Sequence, residues 1–401
     1  MFNRNLTLIW AGNLLLGAAT PMLLLLAGFA GVWLAPSPLF ATAPIAAQAL
    51  AGVLTATPMS LLMGRHGRQA GFLLGAALMT LGGALGAAAL LRQDFLLLCF
   101  AHALLGGGLA CANFFRFAAA ETVATIRQAA AMSLTAASGV GAAFLGPELF
   151  ARVHDGLAPT PFAGGYLAVA LLGSLGALPI LALRLPAPVR SGASGGIMTG
   201  LRLSGRDPRI SSAIGTAAVV QMLMMFGMAA APMAMIGCGF GEGQAAEVMR
   251  WHAAAMCVAG LAAAPLMRRF GPERVAAFGL ATQILSGAIG ATDPALAHVH
   301  LTMILLGAGW SFGFLGAGQM LMEAASPEER PLAQGINETA VGLAGAGASL
   351  LSGAAASAAA DWGWLTALPP LALGLTALTL LSLGRRGLPE RAPDRLERRL
   401  G

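Results

Sequence analysis

Titratable side chains inside the long apolar stretches of this 401-residue chain are few, and each is a candidate for chemistry. His102 lies in the run 95–115; an imidazole with a pKa of about 6.5 loads and releases a proton across the physiological range. Glu148 follows Gly146-Pro147, where burial would raise a carboxylate pKa and let it carry a proton. The competing reading pairs it with Arg152, one helical turn on. His252 stands beside Arg250 and Trp251, placed as a ligand, a gate or an interfacial residue. Arg116 offers a planar donor fork to an anion; the favoured alternative is a salt bridge to Glu121, five residues later. The uncharged polar candidates are Asn13, Gln48, Asn113, Gln221, Trp310, Gln319 and Asn337. Groups of these kinds are costly in hydrocarbon and face a cavity or a partner.

Other chemistries are excluded. Every one of the 23 basic residues is Arg, so there is no P-loop lysine and no Schiff base. Neither HExxH nor GxSxG occurs, and polar residues are scattered over many stretches. Cys99, Cys111, Cys238 and Cys257 show no CxxC or metal spacing and read as small core residues. The chain is expected to be no enzyme and to need no cofactor and no metal.

The elements that position these residues follow from composition. The chain is 57% hydrophobic and 10% charged, against about 25% charged in a soluble domain, so its main solvent is lipid. A membrane helix needs about 20 apolar residues. The run 5–64 is divided by Pro36-Ser37-Pro38, and ten more follow: 69–91, 95–115, 128–147, 156–183, 210–241, 251–267, 275–292, 294–322, 339–360 and 362–384. The fold class is thus an all-α membrane protein with twelve transmembrane helices. With the N-terminus inside, 20 arginines fall on the cytoplasmic side and three (Arg92, Arg152, Arg250) outside, which satisfies the positive-inside rule. Both termini are placed in the cytoplasm and the protein in a bacterial inner membrane. The first apolar run is too long for a cleavable signal core and reads as a retained span. The basic balance reports topology, with no nucleic-acid partner.

The chain also repeats. Leu62-Met63-Gly64-Arg65-His66-Gly67 is echoed 204 residues later by Leu266-Met267-Arg268-Arg269-Phe270-Gly271, and Glu121 with Arg127 is echoed by Glu323 with Arg330. Residues 184–209, rich in Pro, Ser, Gly and Arg, read as a flexible cytoplasmic linker between a six-helix bundle at 1–183 and a second at 210–384. Residues 385–401 form a basic tail. Two such bundles related by an axis along the membrane normal are a pattern of secondary transporters.

On these residues the chain resembles the major facilitator superfamily over nearly its whole length. That family's loop signature is roughly G-x-x-x-D-R-x-G-R-R; here Ser60 stands for the opening Gly and Gly64 for the Asp, while Arg65, Gly67 and Arg68 are kept. His102 stands where the family often has an Arg four residues before a Gly, here Gly106. Gly146-Pro147 matches the end of the antiporter signature, whose other glycines fall on Ser133 and Ala142.

The resemblance implies two pseudo-symmetric bundles rocking about a central site. It also implies cytoplasmic gating ion pairs drawn from Arg65, Arg68, Glu121, Arg269 and Glu323. The expectation is a monomeric secondary transporter of a small organic solute, with protons as the coupling partner through His102 or Glu148. The alternatives are a facilitative uniporter and a non-transporting receptor. The absence of helix-centred Asp or Glu supports the uniporter alternative, and because the cavity candidates Asn13, Gln48, Gln221 and Trp310 are neutral, a vitamin-like, aromatic or amphiphilic solute fits better than a highly charged one.

Overall fold

The computed structural model describes residues 3–37, 40, 43–153, 156–157, 159–185, 197–240, 242–292, 295–358 and 362–386. Hydrocarbon offers no partner to backbone N–H and C=O groups, so each stretch closes its bonds within a helix. The helices are α1 (Arg4–Leu34), α2 (Ala43–His66), α3 (Arg68–Arg92), α4 (Phe95–Ala112), α5 (Phe115–Glu121), α6 (Gln128–Val153), α7 (Ala163–Leu181), α8 (Ile197–Arg206), α9 (Pro208–Gly237), α10 (Glu242–Phe270), α11 (Pro272–Gly290), α12 (Leu296–Ala324), α13 (Arg330–Ala358) and α14 (Trp362–Arg386). Side chains fix several ends. Asn3 accepts from Leu6 N at the start of α1 and Asp94 from Leu97 N at the start of α4, the usual N-cap bond.

Helices α4 and α5 form one crossing interrupted at Asn113 and Phe114, and α8, at 10 residues, is too short to cross; among the described residues twelve crossings remain. Among the described residues, nine helical stretches are long and apolar enough to span by length and composition. The others are α11, α13 and α14. Helix α13 is more polar because it begins at Arg330, nine residues before the apolar run at 339, and so takes in Gln334, Asn337 and Glu338.

The two bundles are built alike. Helix α3 packs on α7 as α11 packs on α14; α2 meets α4 as α10 meets α12; α1 meets α6 as α9 meets α13. The bundles touch through α2 against α13 and α6 against α10. The repeat reaches backbone detail. Gly67 (φ 90°) precedes α3 and Gly271 (φ 87°) precedes α11, a conformation that favours glycine. Gly75 and Gly279, again 204 residues apart, let α3 close on α4 and α11 on α12. A Cβ at Gly279 would lie 2.6 Å from Gly309 O, and one at Gly75 would lie 2.5 Å from Cys111 Cβ.

Part of the expected flexible linker is ordered. Residues 186–196 lie outside the described residues, but Ile197–Arg206 forms α8, whose Gly200 sits against Leu332 and Ile336 of α13. The stretch is amphipathic, with Arg202 and Arg206 exposed, so one face can dock while the other stays solvated. Asp207 follows. Partial burial pushes its carboxyl up, but hydrogen bonds and charge from Arg209 outweigh this and hold it below the usual range. Of the basic tail, 387–401 lies outside the described residues. The cysteines depart from expectation too: Cys111 is buried, but Cys99 and Cys257 are half-buried and Cys238 is exposed at the end of α9. None is bridged.

Replacing Gly279 with Leu forces backbone apart at the α11–α12 contact, an overpacking cost of about 1–3 kcal/mol. The midpoint of thermal unfolding in detergent should fall by several degrees. Gly205→Ala, where a Cβ meets nothing within 4 Å, should leave it unchanged.

Candidate functional site

Helix α4 stops at Ala112, and α5 restarts at Phe115 after a backbone that keeps only short-range bonds, including Phe114 N to Cys111 O. The interruption turns Arg116 inward. Its Nη2 donates to Glu338 Oε1 of α13 at 2.5 Å, and both side chains are buried, 9% and 3% exposed. The expected Arg116–Glu121 pair is therefore not formed. Glu121 instead receives Arg68, through Nε at 3.0 Å and Nη2 at 2.6 Å. Arg68 Nη2 also donates to Gln334 Oε1. Nor are the helices free of inner carboxylates, because Glu338 lies in the first third of α13.

Gln334 and Glu338 are one turn apart, so they share a face of α13. Around them Ser60 donates to Pro331 O at 2.5 Å, and Thr57 and Thr339 hydroxyls meet at 2.8 Å. Gly335 admits Thr57 and Ser60 closely. Met132 of α6 reaches Gly318 of α12 at the same level. A polar seam thus joins the bundles across the arginine-rich end. Ser60, in place of the signature glycine, contributes one of its bonds.

Above the seam, toward mid-membrane, the guanidinium of Arg116 lies over the rings of Phe314 (4.0 Å) and Phe117 (4.7 Å). Trp310, one turn along α12, stacks on Phe314 with centroids 4.8 Å apart, and its Nε1 donates to Gln221 Oε1 of α9 at 2.8 Å. Trp310, Phe314 and Gln221 are all half-buried. Across from them Asn13 of α1 donates to Thr135 O and Ser138 Oγ of α6, and Trp10 Nε1 donates to Thr135 Oγ1. Asn113 is exposed at the break between α4 and α5.

His102 is enclosed within the first bundle, 0% exposed. Its Nδ1 meets Gln48 Oε1 at 2.9 Å and its Nε2 meets the Tyr166 hydroxyl at 2.6 Å. An amide oxygen only accepts, so the neutral ring carries its proton on Nδ1 and accepts from Tyr166. His252 is buried between α10 and α12, with Nδ1 on Met303 O at 2.7 Å, so it is not the interfacial residue its place beside Trp251 suggests. Glu148 pairs with Arg152 at 2.7 Å on an exposed face. Gln319 donates to Glu323 at 2.9 Å. Arg269 lies over Phe270 at 5.3 Å. Arg65 is exposed and makes no ion pair among the described residues. The repeat is thus unequal here: Pro272 stands 204 residues after Arg68, so that arginine has no counterpart in the second half.

Sequence reasoning missed Glu338, Gln334, Tyr166 and Phe314. The chain's single tyrosine is a visible signal only afterwards. Glu338 was hidden because spans were cut at charged residues.

A seam that closes one end below half-buried polar and aromatic groups suits a carrier, which exposes a site to one side at a time. Comparison with known proteins gives the class: the chain belongs to the major facilitator superfamily and is a membrane transporter, not an enzyme. It is 32% identical over 337 residues to the riboflavin transporter RfnT of Brucella anthropi, covering 84% of each chain. It is 26% identical over 308 residues to the MFS-type transporter YddS of Bacillus subtilis, covering 72% of this chain and 70% of that one. No protein-family model matches the chain. Among solved structures the fold is that of FucP in its outward conformation (TM-score 0.74, 17% identity, covering 96% of this chain and 98% of that one). The proton:xylose symporter XylE is similar in fold (TM-score 0.76, 14% identity, covering 96% and 95%).

Glu338→Ala would leave the Arg116 charge buried without its carboxylate, at a cost of about 3–5 kcal/mol. Arg116→Met with Glu338→Leu should recover most of that loss. Thermal unfolding of the three proteins in detergent measures it; equal losses in single and double variants would refute the inter-bundle pair.

Proposed function

We propose that the protein carries a planar, aromatic, vitamin-like solute of the flavin class across the bacterial inner membrane by alternating access. The observation that carries this reading is the stacked Trp310–Phe314 surface, half-buried between the bundles and edged by the amide of Gln221. Similarity to a riboflavin transporter over 84% of the chain supports it. A flat ring gains from stacking on such a surface, and its surroundings suit an uncharged ring better than a polyanion, because the charge beside it, Arg116, is already paired with Glu338. Residues 1–183 and 210–384 act as the two moving bundles of a monomer. The arginine-rich end faces the cytoplasm, and its seam makes this state outward-open. Arg68, Glu121, Gln334, Arg116 and Glu338 hold that state and part when the carrier opens inward, the bistable element that switching requires.

Coupling to protons is assigned to His102. A second proton on its ring would reverse the hydrogen bond with Tyr166, making the hydroxyl the acceptor. Glu148, paired with Arg152, is the second candidate. The complete enclosure of His102 favours one alternative, facilitated uniport.

In proteoliposomes, radiolabelled riboflavin uptake should saturate, and Trp310→Ala should raise the half-saturating concentration about tenfold, from a lost stacking contact worth about 1–1.5 kcal/mol. Absence of uptake by the wild-type protein would overturn the substrate class. An imposed inward proton gradient should stimulate uptake by the wild type and not by His102→Ala. If His102→Ala and Glu148→Gln both keep the wild-type response, neither residue couples; if the wild type shows none, transport is uniport.

A further inference from the structure

Two polar atoms beside the inter-bundle ion pair have no hydrogen-bond partner among the described residues: Arg116 Nε and Asn337 Oδ1. Both residues are more than nine-tenths buried, Arg116 at 8% and Asn337 at 0% exposed. The other ends of both groups are committed. Arg116 Nη2 and Asn337 Nδ2 converge on one atom, Glu338 Oε1, at 2.5 and 2.9 Å. That shared anchor sets the orientation of the amide, because the opposite one would turn its oxygen onto the carboxylate, acceptor against acceptor. A donor, Arg116 Nε–H, and an acceptor, Asn337 Oδ1, are therefore held next to the same carboxylate. Buried polar groups left unmade cost free energy, so a ligand that fills both at once is favoured over one that fills either. Phe314 covers the guanidinium face, and Trp310 continues the stack away from it.

We propose that Arg116 Nε and Asn337 Oδ1 read the lactam or imide edge of a planar heterocycle. The ring carbonyl accepts from Nε–H, and the adjacent ring N–H donates to Oδ1. The inference rests on the flavin-class reading, since the pyrimidine ring of a flavin carries such an edge, and it sharpens that reading to a defined chemical feature. A ring alkylated at that nitrogen cannot satisfy Asn337. Reaching these atoms also requires the ligand to enter beside the Arg116–Glu338 bond, so the residues that recognise the edge are those that join the bundles.

The test is equilibrium binding to the purified full-length protein, followed by ligand fluorescence, with riboflavin, N3-methylriboflavin and an unsubstituted pteridinedione as probes. Riboflavin should bind at least tenfold more tightly than its N3-methyl derivative, as a site built around a substrate N–H discriminates. Asn337→Leu should bring that ratio close to one, an outcome that a purely structural role would not produce. Should this variant fail to fold, the wild-type ratio decides. Equal binding of riboflavin and the methylated analogue overturns the edge-reading site and leaves the flavin reading standing. No riboflavin binding, with tight pteridinedione binding that Asn337→Leu abolishes, overturns the flavin reading and upholds the site. Failure of all three probes overturns both.

Discussion

A guanidinium and a carboxylate enclosed together, each on a different bundle, set the terms for this structure. Either charge alone would be expensive inside the membrane, and together they are tolerable only at contact distance. Arg116 and Glu338 therefore tie the closed arrangement of the halves to their own pairing. The neighbouring contacts agree with that geometry. The interruption at Asn113 and Phe114 aims the arginine, Phe314 and Phe117 lie against its guanidinium, and Asn337 donates to the same carboxylate oxygen.

Around this pair the duplicated architecture is symmetric in packing and asymmetric in chemistry. Gly67 and Gly271 share one backbone conformation, and the helix pairs of the two bundles correspond. Yet Arg68 has proline in the equivalent place, and the aromatic stack belongs to α12 alone. Duplication supplies two bundles of similar packing, and divergence at a few positions gives one the Arg68–Glu121 pair and the other the Trp310–Phe314 stack.

The scarcity of charge made the twelve crossings legible, because lipid tolerates few ionised side chains and each one marks an end. The same rule concealed Glu338. A span defined by the absence of charge cannot contain a carboxylate, so α13 was started at 339 while its helix begins at Arg330. That Arg68 and Glu121 both take part in ion pairs is an expectation of the sequence, but that they are each other's partners is not. The partner of Arg116 was not readable either, because Glu121 is near in sequence whereas Glu338 is brought close only by the meeting of the bundles. His102 stood out as a titratable group, but its enclosure by Gln48 and Tyr166 depends on three helices whose mutual register no local pattern encodes.

The polar bonds between α2 and α13 are made by hydroxyls and the α-helical carbonyl of Pro331. Had leucines stood in their place, parting the bundles would expose oil to water with nothing in return. Here each bond given up is replaced by one to incoming solvent, and the net worth of a neutral hydrogen bond in such an exchange is only about 1 kcal/mol. Hydration thus offsets most of the cost of separation, so the closed end can be at once well ordered and readily reversible.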